Sequence, residues 1–497
     1  MNVVFIFSDR HTAEFTGCYG NAITRTPSLD GLAQRGVRFD AAYCLSPTCV
    51  PARASMMSGR YMHEIGAWCN SFPYRGVPRG WGHTFQERGV SYTIIGKLDL
   101  ASDIDDGIEE VRLSSYRESR DVLTLFREDI QPRHAYVRGF CDTGPAGDLK
   151  AYATDIAVAE DAVKWIEGER PTDRPWVLSV NFKQLHRPWL PTQDLWDYYD
   201  PLVKAEDLDE RYTEDMDHLH PFHQAFSKYS GGHLVDLEDV RRGLVGYHAA
   251  VEVLDRNIGR VLDALDQAGI QDETLVVYSS DHGGNCGEHR CLDHGGLYEE
   301  SIRVPLIVSG PGVQANGVEK DPVSVLDIFP TICEAVGLQQ PVDKLGTSLL
   351  GLVQGNADAA KPNFALCQYH ATGFPGSGFA LRMGSYKYVE CVGDRPMLFD
   401  LESDPHEMHD LVVENLEDVQ VQQVLRVMRS SLCQFVSPEA VDARVKVDQK
   451  ALRTQMADSG LLFDELWRRG YERNADCLIA REDFIFKPEE RRSVRGV

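Results

Sequence analysis

Val3-Val4-Phe5-Ile6-Phe7-Ser8-Asp9 opens the chain with five β-branched or aromatic residues and then stops on a hydroxyl and a carboxylate. A continuous apolar run of that length reads as a strand buried on both faces, the pattern of a parallel sheet covered by helices. Similar runs recur at Tyr92–Ile95, Trp176–Asn181, Thr274–Ser279 and Val304–Val308. Between them Gly243–Ala268 has helical periodicity, with Val251, Leu254, Ile258, Val261 and Leu262 on one face. Strands alternating with helices predict an α/β fold with a mixed, mainly parallel sheet sandwiched by helices. In such sheets ligands gather beyond the carboxyl ends of strands, which is where Asp9 stands.

After about residue 365 the pattern changes. Phe379–Met383, Tyr386–Cys391 and Met397–Phe399 are short strand patterns joined by Gly384-Ser385 and Gly393-Asp394. They predict a small antiparallel sheet, with a helix at Glu417–Phe435 and an irregular charged tail behind it. The expected organisation is a catalytic α/β domain over 1–365 and a smaller α+β subdomain over 366–497. Tyr198–Asp236, rich in His, Asp and Tyr, reads as a long excursion without regular structure.

Composition narrows the class of function. The 497 residues exceed one ordinary core, and 43% hydrophobic with 26% charged residues describes a globular protein. No apolar run is long enough to span a bilayer, so no membrane partner is expected. A net charge of −25 argues against nucleic-acid binding and requires a locally basic pocket for any anionic substrate. The N-terminus lacks the pattern of a secretory signal, from which a cytoplasmic protein is expected. In a reducing compartment most of the 12 cysteines should be free buried thiols.

Cys49-Val50-Pro51-Ala52-Arg53 carries the first chemical signal. Pro51 suits the first turn of a helix, and the side chain at 49 would sit where free N–H groups and the helix dipole favour an anion. Arg53, about one turn further, lies on the same face and can reach back towards position 49. Asp9 after one strand and Asp281-His282 after another could converge on one divalent cation. The run His282, Cys286, His289, Cys291, His294 also invites a zinc site, but it lacks a compact Cys-x-x-Cys knuckle. Ordinary thiols at Cys286 and Cys291 are preferred.

These elements resemble the type I sulfatases of the alkaline phosphatase superfamily, in which the cysteine of Cys-x-Pro-x-Arg becomes formylglycine. The resemblance extends over nearly the whole chain: Asn2–Asp9, Cys49–Arg60, Ile95-Gly96-Lys97, Leu185-His186-Arg187-Pro188, Ser280–Gly283 with Gly287-Glu288-His289, Leu297–Pro305, and Leu398–Glu407. It implies an alkaline-phosphatase-like fold and hydrolysis of a sulfate monoester. It further implies one divalent cation, Ca²⁺ ahead of Mn²⁺, held by Asp9, Asp281, His282 and the modified Cys49. Arg53 and Lys97 would then contact the sulfate, with His186 or His220 as proton donor and His294 on the sulfate. The implied partners are a small sulfated substrate and a formylglycine-generating maturation enzyme; homo-oligomer formation stays open. Gly96-Lys97-Leu98-Asp99 and Met216–Pro221 are most similar to the arylsulfatase K branch, which implies a uronate 2-O-sulfate and a substrate-binding His220.

Two positions depart from the family. Arg10 stands where a second acid is common, and His294 where lysine is common. Arg10 could add positive charge for the substrate anion or point to a surface carboxylate. The charge of a histidine at 294 depends on pH. A phosphonate monoester or phosphate diester hydrolase of the same superfamily is the nearest alternative. An inactive sulfated-ligand binder is the alternative of another class.

Overall fold

In the computed structural model, which describes residues 1–102, 104–114, 120–127, 132–356, 359–474 and 477–485, the opening run forms strand Asn2–Ser8 (β1) inside an eight-stranded sheet. The sheet's other strands are Gly36–Phe39 (β2), Ser91–Gly96 (β3), Glu110–Arg112 (β4) and Trp176–Asn181 (β5). Thr274–Ser280 (β6), Leu306–Ser309 (β7) and Gly317–Glu319 (β8) complete it. Their spatial order is β8-β2-β7-β6-β1-β5-β3-β4. Pairing is parallel from β6 across to β4, whereas β7 runs antiparallel to both β6 and β2. The sheet is therefore mixed and mainly parallel, as the apolar runs predict.

Successive β1 side chains point to opposite faces, and each face has its own apolar layer. Val3, Phe5 and Phe7 join one cluster with Met56, Trp81 and Phe329; Val4 and Ile6 join another with Leu29, Val251 and Leu254. All five β1 residues are fully buried, each worth about 1.5–3 kcal/mol of transfer free energy. Both layers must be filled at once, which explains a strand without polar alternation.

A second sheet comprises Phe364–Tyr369 (β9), Gly378–Met383 (β10), Tyr386–Cys391 (β11) and Met397–Asp400 (β12), paired antiparallel in chain order. Helix Val419–Phe435 follows it.

Several boundaries differ from the sequence expectation. The long helix runs Leu237–Gln267 and starts six residues early, because Asp236 accepts from Asp239 N at 2.9 Å and caps it. The excursion at Tyr198–Asp236 contains a helix, Pro221–Ser230, with Pro221 in its first turn and Phe222, Phe226 and Tyr229 buried along one face. Its His-rich composition hides that spacing. The expected irregular tail holds two helices, Pro438–Asp458 and Leu461–Arg468. The first buries only a narrow stripe that includes Val445, Leu452 and Met456, so charged residues dominate any window read from sequence.

Among the described residues no helix is long and apolar enough to cross a membrane. Most described cysteines are buried free thiols.

Candidate active site

Strand register builds the site. Ser8 of β1 lies beside Ser280 of β6, so Asp9 and Asp281 leave neighbouring strand ends side by side. Lys97 follows β3, where its N–H is bonded to the Asn181 carbonyl of β5 at 2.9 Å, and His186 lies a few residues beyond β5. Helix Cys49–Ser58, buried along its whole length, begins at Cys49 itself, and Asn70 Oδ1 accepts from Val50 N at 3.3 Å.

Cys49 Sγ lies 3.2 Å from His282 Nε2 and 3.9 Å from both Asp9 Oδ1 and His186 Nε2. Asp9, Cys49, Asp281 and His282 place one ligand atom each within 4.8 Å of one another, and Cys49, His282 and His294 do the same. His282 Nδ1 donates to the Gly283 carbonyl at 2.7 Å, which leaves the Nε2 lone pair facing the carboxylates. The two acids, the imidazole and position 49 thus form a donor set that fits a hard divalent cation.

Cations crowd the same carboxylates. Arg53 Nε donates to Asp281 Oδ2 at 2.8 Å, and its Nη1 donates to the Lys97 carbonyl at 3.0 Å. Its Nη2 is 4.0 Å from Asp9 and has no hydrogen-bond partner. Lys97 Nζ pairs with Asp9, and with Asp99 at 3.0 Å. Burial alone would raise the Asp9 carboxyl, but His186 and Lys97 outweigh it and hold the group well below the usual carboxylate range. Burial works against the Lys97 and Arg53 charges too, yet the surrounding acids raise both. The acids and cations therefore keep one another ionised in a buried site.

Arg10 is buried and pairs with Asp293 and His294, so its carboxylate partner lies inside the protein and not on the surface. Asp293 also holds Arg187. His294 lies ring over ring on His282, with centroids 4.9 Å apart. Burial, then the Arg10 charge, push its pKa well down, so it is a neutral imidazole at physiological pH. His220 contributes no atom to these contacts. Its Nδ1 accepts from Phe222 N at 3.1 Å, capping the helix, and its Nε2 donates to the Arg395 carbonyl at 2.9 Å. Of the histidine and cysteine run after Asp281, His289 turns to Glu214 at 2.7 Å and Cys291 Sγ to the His289 carbonyl.

A sulfatase family profile matches residues 1–338. The chain belongs to the sulfatase family. Hydrolysis of a sulfate ester is accordingly the activity of this sulfatase. A second profile, the C-terminal region of N-sulphoglucosamine sulphohydrolase, matches residues 287–436. The sulfatase is 30% identical to choline-sulfatase of Rhizobium meliloti over 446 residues, covering 85% of this chain and 84% of the relative. It is 28% identical to arylsulfatase K of Gallus gallus over 443 residues, 84% and 80% of the two chains. Its fold matches a phosphonate monoester hydrolase of Agrobacterium radiobacter with TM-score 0.68 and 19% identity over 97% and 99% of the chains.

Sequence reasoning missed Asp293, Arg187 and Asn70 as parts of the site. The unexpected charge at Arg10 was a signal that a buried acid must answer it. Asn70 carried no such sign.

Gly96, with φ of +104°, sets where Lys97 enters the site. A Cβ there would stand 2.1 Å from the Asn181 carbonyl. Gly96→Ala is expected to lower unfolding free energy by about 2–3 kcal/mol and to impair turnover, as read by denaturant titration and initial rates. Wild-type stability in that variant would show that the strand end relaxes freely.

Proposed function

We propose that the sulfatase cleaves a sulfate monoester through formylglycine at position 49, supported by one divalent cation. The observation that carries this is Cys49 Sγ lying within 3.9 Å of His282, Asp9 and His186 in a buried donor set. Asp9, Asp281, His282 and residue 49 would hold the ion, Ca²⁺ before Mn²⁺, and it would supply Lewis-acid polarisation and lower the pKa of the nucleophile. Oxidised and hydrated, position 49 would offer one hydroxyl to attack sulfur and a second whose deprotonation expels sulfate.

The remaining work falls to the protein's own side chains. Arg53 Nη2 and the Lys97 ammonium are placed to stabilise charge on the sulfate oxygens. His186 Nε2, at 3.9 Å from Sγ and on a residue with 30% side-chain exposure, is positioned to protonate the leaving alkoxide. Neutral His294 can donate a hydrogen bond but adds no charge. His220, with both ring nitrogens on backbone, is given no proton-transfer step. Similarity to arylsulfatase K supports a uronate 2-O-sulfate as the natural substrate, with aryl sulfates as surrogates. A maturation enzyme that oxidises Cys49 is the partner this scheme requires.

Arg10, in place of a second metal acid, keeps a phosphonate monoester or phosphate diester hydrolase as the competing reading. Protein with formylglycine confirmed by mass spectrometry of the Cys49 peptide should be assayed in parallel on a sulfate monoester and a phosphate diester. A kcat/KM at least about tenfold higher on the sulfate is expected, equivalent to ~1.4 kcal/mol in the transition state. Preference for the diester would overturn the assignment. Hydrolysis of neither would favour a sulfated-ligand binder.

A further inference from the structure

One buried carboxylate, that of Asp293, joins three segments of the candidate active site. Its side chain is 3% exposed; Oδ1 meets Arg10 and His294 Nδ1, and Oδ2 meets Arg187. Arg10 directly follows Asp9, and Arg187 directly follows His186. His294 is the next residue along, and its backbone N–H also donates to Asp293 Oδ1 at 2.8 Å. The backbone of Asp293 itself pairs with Asn285, three residues beyond His282. Arg10 and His294, the two positions that depart from the family, thus meet on one acid.

These ties converge on His186. Its Nε2 lies 3.1 Å from Oδ1 of Asp9, the residue before Arg10. Its ring meets His294 edge to face, with centroids 6.3 Å apart. The chain directly after it is fixed by Arg187, whose Nη1 donates to the Tyr136 carbonyl at 3.0 Å. The Arg187 guanidinium carbon also lies 5.4 Å from the Tyr136 ring centroid and 5.6 Å from that of Phe140. The carboxylate facing His186, the ring against it and the chain beside it are therefore all tied to Asp293. With 30% of its side chain exposed, His186 is not fixed by packing alone.

Stability does not account for this cluster. Arg10 and Arg187 are both buried and share the one acid. A buried ion cluster of this kind is often no more stable than apolar side chains of the same volume. The backbone is also strained in each of the same segments, with Arg10 at φ +64°, Leu185 at +90° and Asp293 at +72°. Non-glycine residues stay in the left-handed region where surrounding contacts over-determine them, and leucine is an unusual occupant. Buried charge and backbone strain in the same three segments point to a demand on position.

We propose that Asp293 is a positioning residue of the sulfatase: through Arg187, His294 and the Arg10–Asp9 segment it holds the His186 imidazole in place to protonate the leaving oxygen. The inference rests on the proton-donor role given to His186 and adds the group that sets its geometry. Proton transfer needs the donor within about 2.6–3.2 Å of its acceptor, so it is the step that suffers first when the ring is released.

The test reads the ratio of kcat/KM on 4-nitrophenyl sulfate to kcat/KM on 4-methoxyphenyl sulfate, with formylglycine confirmed in every protein. The two esters have similar shapes, but the 4-methoxyphenolate oxygen is far more basic and depends more on a proton donor. A smaller folded fraction lowers both rates alike and leaves the ratio unchanged. His186→Ala is expected to raise the ratio by about 10². Asp293→Asn, nearly isosteric, should raise it by about tenfold or more. Added to His186→Ala, it should change the ratio by no more than about twofold, because both substitutions act through one proton transfer. An unchanged ratio in Asp293→Asn, or a further rise of about tenfold in the His186→Ala background, would overturn the positioning role. If Asp293→Asn does not fold, Arg187→Met, which leaves the Arg10–Asp293 pair in place, should raise the ratio at least about threefold. A wild-type ratio in that variant likewise overturns the role. A wild-type ratio in His186→Ala would refute His186 as proton donor, and the role of Asp293 with it. Wild type that hydrolyses neither ester would overturn the chemistry at position 49 and this role together.

Discussion

Cys49→Ala is expected to abolish turnover while leaving the protein folded. Cys49 is 2% exposed and its Sγ meets Asp9, His186 and His282, so no other atom in the site occupies the nucleophile's place. Removing one sulfur leaves a space of about a methyl group and costs on the order of 1 kcal/mol in packing. The helix around it keeps its buried Ala54, Met56 and Met57 and its Gly59 terminus. Initial rates should fall by ~10³ or more, because a group that forms a covalent bond in the transition state has no neighbouring substitute. Thermal unfolding should move by only a few degrees. Turnover close to wild type in this variant would sink the covalent route through position 49.

Arg53→Ala should damage both stability and activity. The guanidinium is 1% exposed, pairs with Asp281, approaches Asp9 and donates to the Lys97 carbonyl. Its guanidinium carbon also lies 4.9 Å from the Phe7 ring centroid. Deleting it removes the guanidinium partner of Asp281, while the Lys97 carbonyl keeps the Asn181 Nδ2 donor at 2.9 Å, a loss of about 3–5 kcal/mol for breaking a buried pair. Rates should drop by ~10² or more through the lost anion contact. Arg53→Lys should rescue neither fully, since an ammonium cannot serve a carboxylate, a carbonyl and a substrate oxygen in one plane. Denaturant titration beside initial rates separates the two effects. A variant with wild-type stability would mean that the carboxylates are neutralised by other groups.

Much of this architecture was legible in sequence because the central strands are buried on both faces. Val3–Phe7 carries no polar residue and Trp176–Asn181 is buried throughout, and the strands occur where those runs stand. Asp9, Asp281 and His282 were visible as polar groups directly after such strands. Pro221–Ser230 and Pro438–Asp458 were not legible, since each buries a narrow stripe among polar residues and depends on tertiary packing.

Sequence alone determined which residues carry reactive chemistry: a cysteine at a helix start, acids at strand ends, and an arginine one turn on. Those properties are local, set by periodicity and by the first turn of a helix. Only the tertiary structure decided charge and partnership. It turned Arg10 onto Asp293, left His294 neutral and spent His220 on a helix cap. Coulomb energy and desolvation depend on distances between segments far apart in the chain, and residue order by itself does not contain those distances.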